Sequence, residues 1–302
     1  MSDAKPRILV TGASGLLGGA ICRLAAENWS VTGICRRHRV TAPGVTSVQV
    51  DLTDEAKVQD LMADQNPKAV IHTAAMAQPP ACERAPRASE VVNVRVPEVL
   101  ATSCAERGIP FVFTSTDLVF DGLQAPYDEG RPATPICVYG RHKAQAEEVV
   151  MRRYPAALVV RLPLMFGFAE HSPPTFTLQI FMAIRQRRPI RLFVDEFRTP
   201  VDIQSAAQGI LHLLGRARGI LHLGGRRRIS RYDLGLMIAA RLAVAPTMLE
   251  PVEIQSLTLE VMRSPDCSLD SHRAYSLGYD PAPLEDAIQR ISERFKASSF
   301  WA

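Results

Sequence analysis

Residues 7–18, RILVTGASGLLG, restrict the fold of this chain more than any other segment. Residues 7–11 form a short aliphatic run of the kind a buried strand makes. Glycines follow at 12, 15 and 18, and a helical pattern runs over 15–28. This order of strand, glycine turn and helix has a physical use. One glycine makes the tight turn, a second lets the backbone approach an anion, and a third lets the helix pack closely on the strand. The helix start then offers free N–H groups and the positive end of its dipole. Gly12, Ser14, Gly15, Leu16, Leu17 and Gly18 are therefore the expected cradle of a pyrophosphate, with a plain strand-to-helix turn as the alternative.

The first half of the chain repeats the alternation. Residues 31–35, 47–50, 69–72, 111–115 and 157–161 read as strands, and helical patterns lie near 54–63, 88–107 and 138–153. Strands that alternate with helices imply crossover connections and a parallel sheet covered on both faces. The near-continuous apolar character of these strands agrees with burial on both sides. After Leu162 the rhythm changes. His171-Ser172-Pro173-Pro174 reads as loop, 176–187, 204–214 and 231–242 as helices, and 190–194 and 219–223 as short strands. The remainder is mixed and interrupted by prolines. The expected fold is α/β, a doubly wound parallel sheet over residues 1–162 with a smaller C-terminal α/β part over 163–302. Some segments of the second part are expected to return to the sheet.

Composition narrows the function classes. Of 302 residues, 47% are hydrophobic and 22% charged, enough apolar material for a real core. The net charge of +4 favours an anionic small molecule and is too dispersed for nucleic acid. Its densest basic runs, 36–39 and 226–228, read first as solvated loops. Six cysteines show no metal-ligand spacing, so no metal is expected, and they suit a reducing cytoplasm. The polar start MSDAKPR precedes an apolar run too short for a signal peptide, and no stretch approaches the ~20 apolar residues of a membrane span. No membrane and no nucleic-acid partner is expected; a homodimer is compatible with the sequence.

A dinucleotide site needs a further residue at the end of the second strand. An acid there would hold the 2′-hydroxyl of NAD. This chain reads Ile34-Cys35-Arg36-Arg37 instead. Guanidinium groups at Arg36 and Arg37 suit the 2′-phosphate of NADP, so NADPH is the expected cofactor. Asp51 and Leu52, after the third strand, are placed to meet the adenine, with a strand-end cap as the alternative for Asp51.

The chemistry points to Ser115-Thr116-Asp117 and to Tyr139 and Lys143. The first three end a buried strand, where a sheet of this kind opens its crevice. Tyr139 and Lys143 are four apart on a predicted helix and share one side. A ketone reduction needs a hydride donor, a proton donor and a group that holds the carbonyl oxygen. Tyrosine, with an ordinary pKa of about 10, is a poor acid–base catalyst at neutral pH, and a nearby ammonium should lower that value. Lysine serves as a compact charge with several donors, where the planar fork of arginine would not fit. Only five of the 35 basic residues are lysine, so Lys143 stands out. Ser115 or Thr116 alone would read as a strand-end hydrogen bond. Glu147 and Glu148 read as the solvated part of the same helix.

These segments resemble the extended short-chain dehydrogenase/reductase superfamily, and within it the dTDP-4-dehydrorhamnose reductases and related sugar-nucleotide reductases. The likeness runs nearly end to end, and TGASGLLG, STDLVFDG and VYGRHK are its specific parts. It implies a Rossmann-type fold and NADPH-dependent reduction of the ketone of a nucleotide-linked 4-keto-6-deoxy sugar. Thr116 would hold the carbonyl oxygen, Tyr139 deliver the proton, and Lys143 bind the nicotinamide ribose. Ala74 and Ala75 would line the cofactor. Asp117 and Leu164-Met165-Phe166 would meet the substrate. Three positions depart from the pattern: Leu118 replaces an expected tyrosine, Leu164 an aromatic, and Met76 opens a segment that is usually polar. All three would face the sugar. The departures leave open a non-catalytic NADP-binding regulator resembling the methionine adenosyltransferase β subunit, or another extended short-chain dehydrogenase or epimerase. Arg198, Arg227 and Arg263 read as structural arginines, with a substrate diphosphate as the alternative.

Overall fold

A computed structural model describes residues 5–167 and 175–298. The expected loop at His171-Ser172-Pro173-Pro174 lies outside the described residues. The first half runs β1 (Arg7–Thr11), α1 (Leu16–Ala25), β2 (Ser30–Cys35), β3 (Val45–Gln49), α2 (Glu55–Gln65), β4 (Ala69–His72), α3 (Pro79–Arg84), α4 (Pro86–Glu90), a π turn (Val91–Arg95), α5 (Val96–Arg107), β5 (Phe111–Thr116), α6 (Val138–Arg153) and β6 (Leu158–Leu162). The second half runs β7 (Met165–Phe166), α7 (Phe176–Arg185), β8 (Ile190–Phe193), β9 (Phe197–Arg198), β10 (Val201–Asp202), α8 (Ile203–Leu213), β11 (Gly219–His222), β12 (Ile229–Ser230), α9 (Arg231–Leu242), β13 (Leu249–Val252), α10 (His272–Ser276) and α11 (Leu284–Lys296).

Seven strands make one parallel sheet in the order β11-β6-β5-β4-β1-β2-β3. Alternation along the buried strands sorts their side chains onto two faces. Ile8 and Val10 join an apolar layer with α1 and α8, while Leu9, Phe111 and Phe113 join the opposite layer with α2, α5 and α6. Two elements of the second half belong to this body: β11 pairs with β6, and α8 packs on α1. A third apolar cluster, with Phe181, Leu234, Ile288 and Phe295, holds the rest of that half together.

Two local differences from the sequence reading have physical causes. The helix expected over 88–107 is broken. Pro86 starts α4, and Pro97 has no N–H to give the Asn93 carbonyl, so the turn widens to the π form at Val91–Arg95. In the unassigned remainder, α11 buries Leu284, Ala287, Ile288 and Phe295, a helical spacing that its two preceding prolines obscure.

Candidate active site

The sheet changes direction between β1 and β4, and open α/β sheets bind ligands outside such a point. There Thr11 and His72 end neighbouring strands, joined by Thr11 Oγ1 and His72 Nδ1 at 2.7 Å. The loops that follow are stitched together: Thr73 Oγ1 donates to the Thr11 carbonyl at 2.7 Å, and Ala74 N donates to Thr11 Oγ1 at 3.3 Å. Gly12 takes a φ of +67°, and a Cβ there would lie 2.7 Å from Ala74 N. A Cβ at Gly18 would strike the Gly12 carbonyl oxygen. Helices α2, α8 and α9 have side-chain caps from Asp54, Asp202 and Ser230; α1 begins at Gly15, which has none. The first-turn N–H groups of α1 are thus left for an anion.

A cavity of about 940 Å³ opens from this loop and runs to α6. Gly12, Ser14, Gly15, Leu16, Leu17, Gly18, Arg36, Asp51, Leu52, Ala74, Ala75, Met76, Tyr139 and Lys143 all line it, as does Ser115. Arg37 does not: it follows Arg36 in a bend, and Arg36 takes the cavity side. Asp51 faces two ways. It accepts from Thr53 N at 3.1 Å and Thr53 Oγ1 at 2.8 Å, and Arg36 Nε lies 3.8 Å from its other oxygen. The uncharged cradle and the Arg36 side chain fit a dinucleotide phosphate end.

At the other end, the start of α6 fixes Tyr139 and Lys143. Cys137 Sγ accepts from Gly140 N at 3.4 Å, and Glu83 accepts from Val138 N at 2.8 Å. A Cβ at Gly140 would strike the Leu118 carbonyl oxygen, so glycine lets this turn press against the backbone beside Thr116. Lys143 is buried; its Nζ donates to the Thr114 carbonyl at 2.6 Å and sits 3.9 Å above the Phe113 ring. Burial pushes the Lys143 ammonium down to about 7, against the pull of Glu147. Tyr139 is pushed well above its ordinary value by burial and then by the Asp117 carboxylate, while the Thr116 hydroxyl works to lower it. This reverses the expected direction for Tyr139. Lys143 Nζ is engaged by the Thr114 carbonyl and the Phe113 ring, and the charge that acts most on the phenol is the Asp117 carboxylate. The phenol is held protonated, the state a proton donor requires.

Glu147 also departs from the reading. One turn beyond Lys143, it faces the sheet and meets Arg161 of β6, with Nη2 to Oε2 at 2.6 Å and both groups buried. Glu148 is exposed, as expected.

The expected substrate side is a web of paired charges. Thr116 Oγ1 donates to Asp117 Oδ1 at 3.2 Å and accepts from Leu118 N at 3.2 Å. Arg198 Nε lies 3.0 Å from Asp117 Oδ2, an ion pair without hydrogen-bond alignment. Arg198 also meets Glu196 at 3.2 Å, and Arg231 and Arg263 reach the same carboxylate at 2.8 Å each. Burial works to raise Glu196, but Arg231, Arg198 and Arg263 outweigh it and hold it at about 2. Asp117 goes the other way, raised by burial more than Arg198 lowers it. Arg227 pairs with Glu285 at 2.6 Å. Met76 and Leu118 pack with Val261 against an apolar cluster of Cys82, Cys137, Val138 and Tyr139. Leu164 packs on the third cluster instead. Thr116, Asp117, Leu118 and Leu164 are not among the residues lining the large cavity.

One residue was missed by the sequence reasoning. Asn93, buried in the π turn, accepts from Met76 N at 2.9 Å and donates to the Met76 carbonyl at 3.1 Å. It thereby fixes the loop beyond Ala75. Its signal was a lone amide in the apolar run VVNV. No group of three or more His, Cys, Asp or Glu among the described residues could hold a metal, and no described helix is long and apolar enough to cross a membrane.

The whole chain has known relatives. The family model described as RmlD substrate binding domain matches residues 6–297. The probable low-salt glycan biosynthesis reductase Agl14 of Haloferax volcanii is 30% identical over 292 residues, 95% of this chain and 97% of that protein. Methionine adenosyltransferase 2 subunit beta of Danio rerio is 28% identical over 306 residues, 98% of this chain and 93% of its own length. The crystal structure of dTDP-4-dehydrorhamnose reductase from Bacillus anthracis in complex with NADP superposes with a TM-score of 0.85 at 21% identity, covering 96% of this chain and 99% of that one. At that identity the likeness shows the Rossmann-type fold.

Proposed function

The chain belongs to the RmlD substrate binding domain family, and we propose that it is an NADPH-dependent reductase of a nucleotide-linked 4-keto-6-deoxy sugar. The observation that carries this reading is one cavity that joins the glycine cradle to Tyr139 and Lys143. Bound NADPH supplies a hydride. The chain's own residues do the rest. Tyr139 gives its proton to the carbonyl oxygen, the Thr116 hydroxyl turns from Asp117 to steady that oxygen, and Lys143 orients the nicotinamide end. We assign the 2′-phosphate to Arg36 and withdraw Arg37 from that role. In this reading residues 1–162 hold the cofactor and bring Met76, Asp117 and Leu118 to the sugar, and residues 163–302 supply the rest of the substrate side, Leu164 among them. Six free, buried cysteines suit a cytoplasmic enzyme.

The test is NADPH oxidation across a panel of nucleotide-linked 4-ketosugars. Turnover with at least one is expected, and none across the panel overturns the reading. Lys143→Arg should keep the charge yet lose most of that turnover; near-normal activity would make Tyr139 and Lys143 an accidental pair.

A second reading is favoured by one observation. Asp117 is already engaged by Arg198 and Thr116, so this carboxylate has less capacity left for a substrate. A regulator that binds NADP without turning it over would fit this. Co-purification with a synthetase, NADP binding and no turnover would decide for it.

A further inference from the structure

Five buried side-chain atoms among the described residues have no hydrogen-bond partner: His72 Nε2, Ser115 Oγ, Asp117 Oδ2, Thr177 Oγ1 and Ser292 Oγ. Asp117 has Arg198 as its ion-pair partner. Of the five residues, Ser115 lines the large cavity and the other four do not. Leaving a buried hydroxyl unpaired forfeits the hydrogen bonds it made to water, so its presence calls for a partner.

The register of β5 says where that hydroxyl points. Phe111 and Phe113 face α6 in the apolar layer that holds Ala146 and Val150. Side chains two apart share a face, so Ser115 follows them on the same side. Lys143 sits over Phe113, which places Ser115 one step beyond it toward the cavity. Thr116, next along the strand, has its hydrogen committed to Asp117 and a lone pair committed to Leu118 N. Of the two hydroxyls at the strand end, Ser115 carries the spare capacity.

Chemistry narrows the ligand group. Lys143 has three donors and no acceptor, and one donor goes to the Thr114 carbonyl. Serine can accept as well as donate. A group that both accepts and donates a hydrogen bond, such as a sugar hydroxyl, is satisfied by the two together. We propose that Ser115 is a further cofactor-binding residue, its hydroxyl engaging a nicotinamide-ribose hydroxyl of the dinucleotide alongside Lys143. This rests on the reading of the cavity as a dinucleotide site.

Titration of NADPH by fluorescence, with thermal unfolding of the unliganded protein, tests it. Ser115→Ala should weaken NADPH binding about fivefold. The unliganded variant should unfold at the same temperature as the wild type or higher, because it has lost an orphan rather than a bond. Ser115→Thr, which keeps the hydroxyl, should recover part of the affinity. With a dinucleotide lacking both hydroxyls of that ribose, wild type and Ser115→Ala should bind alike. Unchanged affinity in Ser115→Ala overturns the proposal, as does a lowered unfolding temperature, which would show a partner within the chain. A gap that persists with the dideoxy cofactor overturns the assignment to the ribose. Failure of every ketosugar to react would remove the reductase reading and leave this one standing, whereas a wild type that binds no dinucleotide removes both.

Discussion

Two regions of the candidate site are built on opposite principles. Along the large cavity, from the glycine loop to α6, the chain withholds partners. Helix α1 has no side-chain cap, the loop carries no charge, and Ser115 and Lys143 keep unused hydrogen-bonding capacity. Around Asp117 the chain supplies partners to itself: three arginines and two carboxylates close a web with Thr116 at its edge. An end that leaves backbone and side-chain groups unsatisfied in the cavity is prepared for a ligand. An end that satisfies its charges internally has a fixed shape and selects by that shape. On the proposed reading, the chemistry and the selectivity of this site are held by separate sets of residues, so they should fail separately.

Tyr139→Phe should cause the largest loss, about 10²–10⁴-fold in turnover, because it removes the proposed proton donor. NADPH titration of the same variant should show affinity near that of the wild type. A variant retaining a tenth or more of wild-type turnover would break the assignment of chemistry to α6.

Arg198→Met attacks the other end. It leaves Asp117 and Glu196 short of a buried counter-charge, which should lower stability by about 3–5 kcal/mol in chemical denaturation. Cofactor affinity should change little. A stable variant would mean that the web contributes no rigidity, and the contrast between the ends would collapse.

The next prediction concerns pH. Lys143 titrates at about 7 in the folded chain, below the ordinary lysine value of 10.5. Between those values the unfolded chain holds a proton that the folded chain has released. Stability from this group should therefore rise with pH from 7 to 10.5, its cost being full below 7. Lys143→Met should flatten that rise relative to the wild type in denaturation midpoints taken across the window. Parallel curves would show that the ammonium is not buried.

The smallest effect separates neighbours. Arg36→Ala should reduce the preference for NADPH over NADH about fivefold, in line with the loss of one charge-assisted contact. Arg37→Ala should leave it unchanged in paired titrations. Equal effects would return both arginines to the phosphate.

The same contrast explains what could be read from the chain alone. The glycine loop, the strand alternation and the bounds of α6 were legible because they depend on local spacing. The face of Glu147 was not: it lies on the sheet side only because Arg161, fourteen residues on, ends up beneath it. The engagement of Asp117 depends on Arg198, 81 residues away by number, and nothing local announces that pairing. Asn93 was partly legible, since an amide in an apolar run asks for a partner, but its partner Met76 is set by the loop beyond β4. The direction of the Tyr139 shift was missed for the same reason. Its dominant causes are burial and a carboxylate whose orientation the second half of the chain controls.

The pairing of β11 with β6 has a consequence for how the molecule is made. The last strand of the sheet is Gly219–His222, and α8, which covers α1, comes just before it. A nascent chain that has emerged as far as Leu162 has six strands, a bare edge on β6 and an uncovered face on α1. Such edges invite pairing with other chains. The seven-stranded sheet is therefore finished by a segment synthesised some sixty residues later. A gene cut after codon 162 should yield an aggregating product, and one extended past β11 a far more tractable one, which makes residue 222 the earliest point at which the cradle can be held firm.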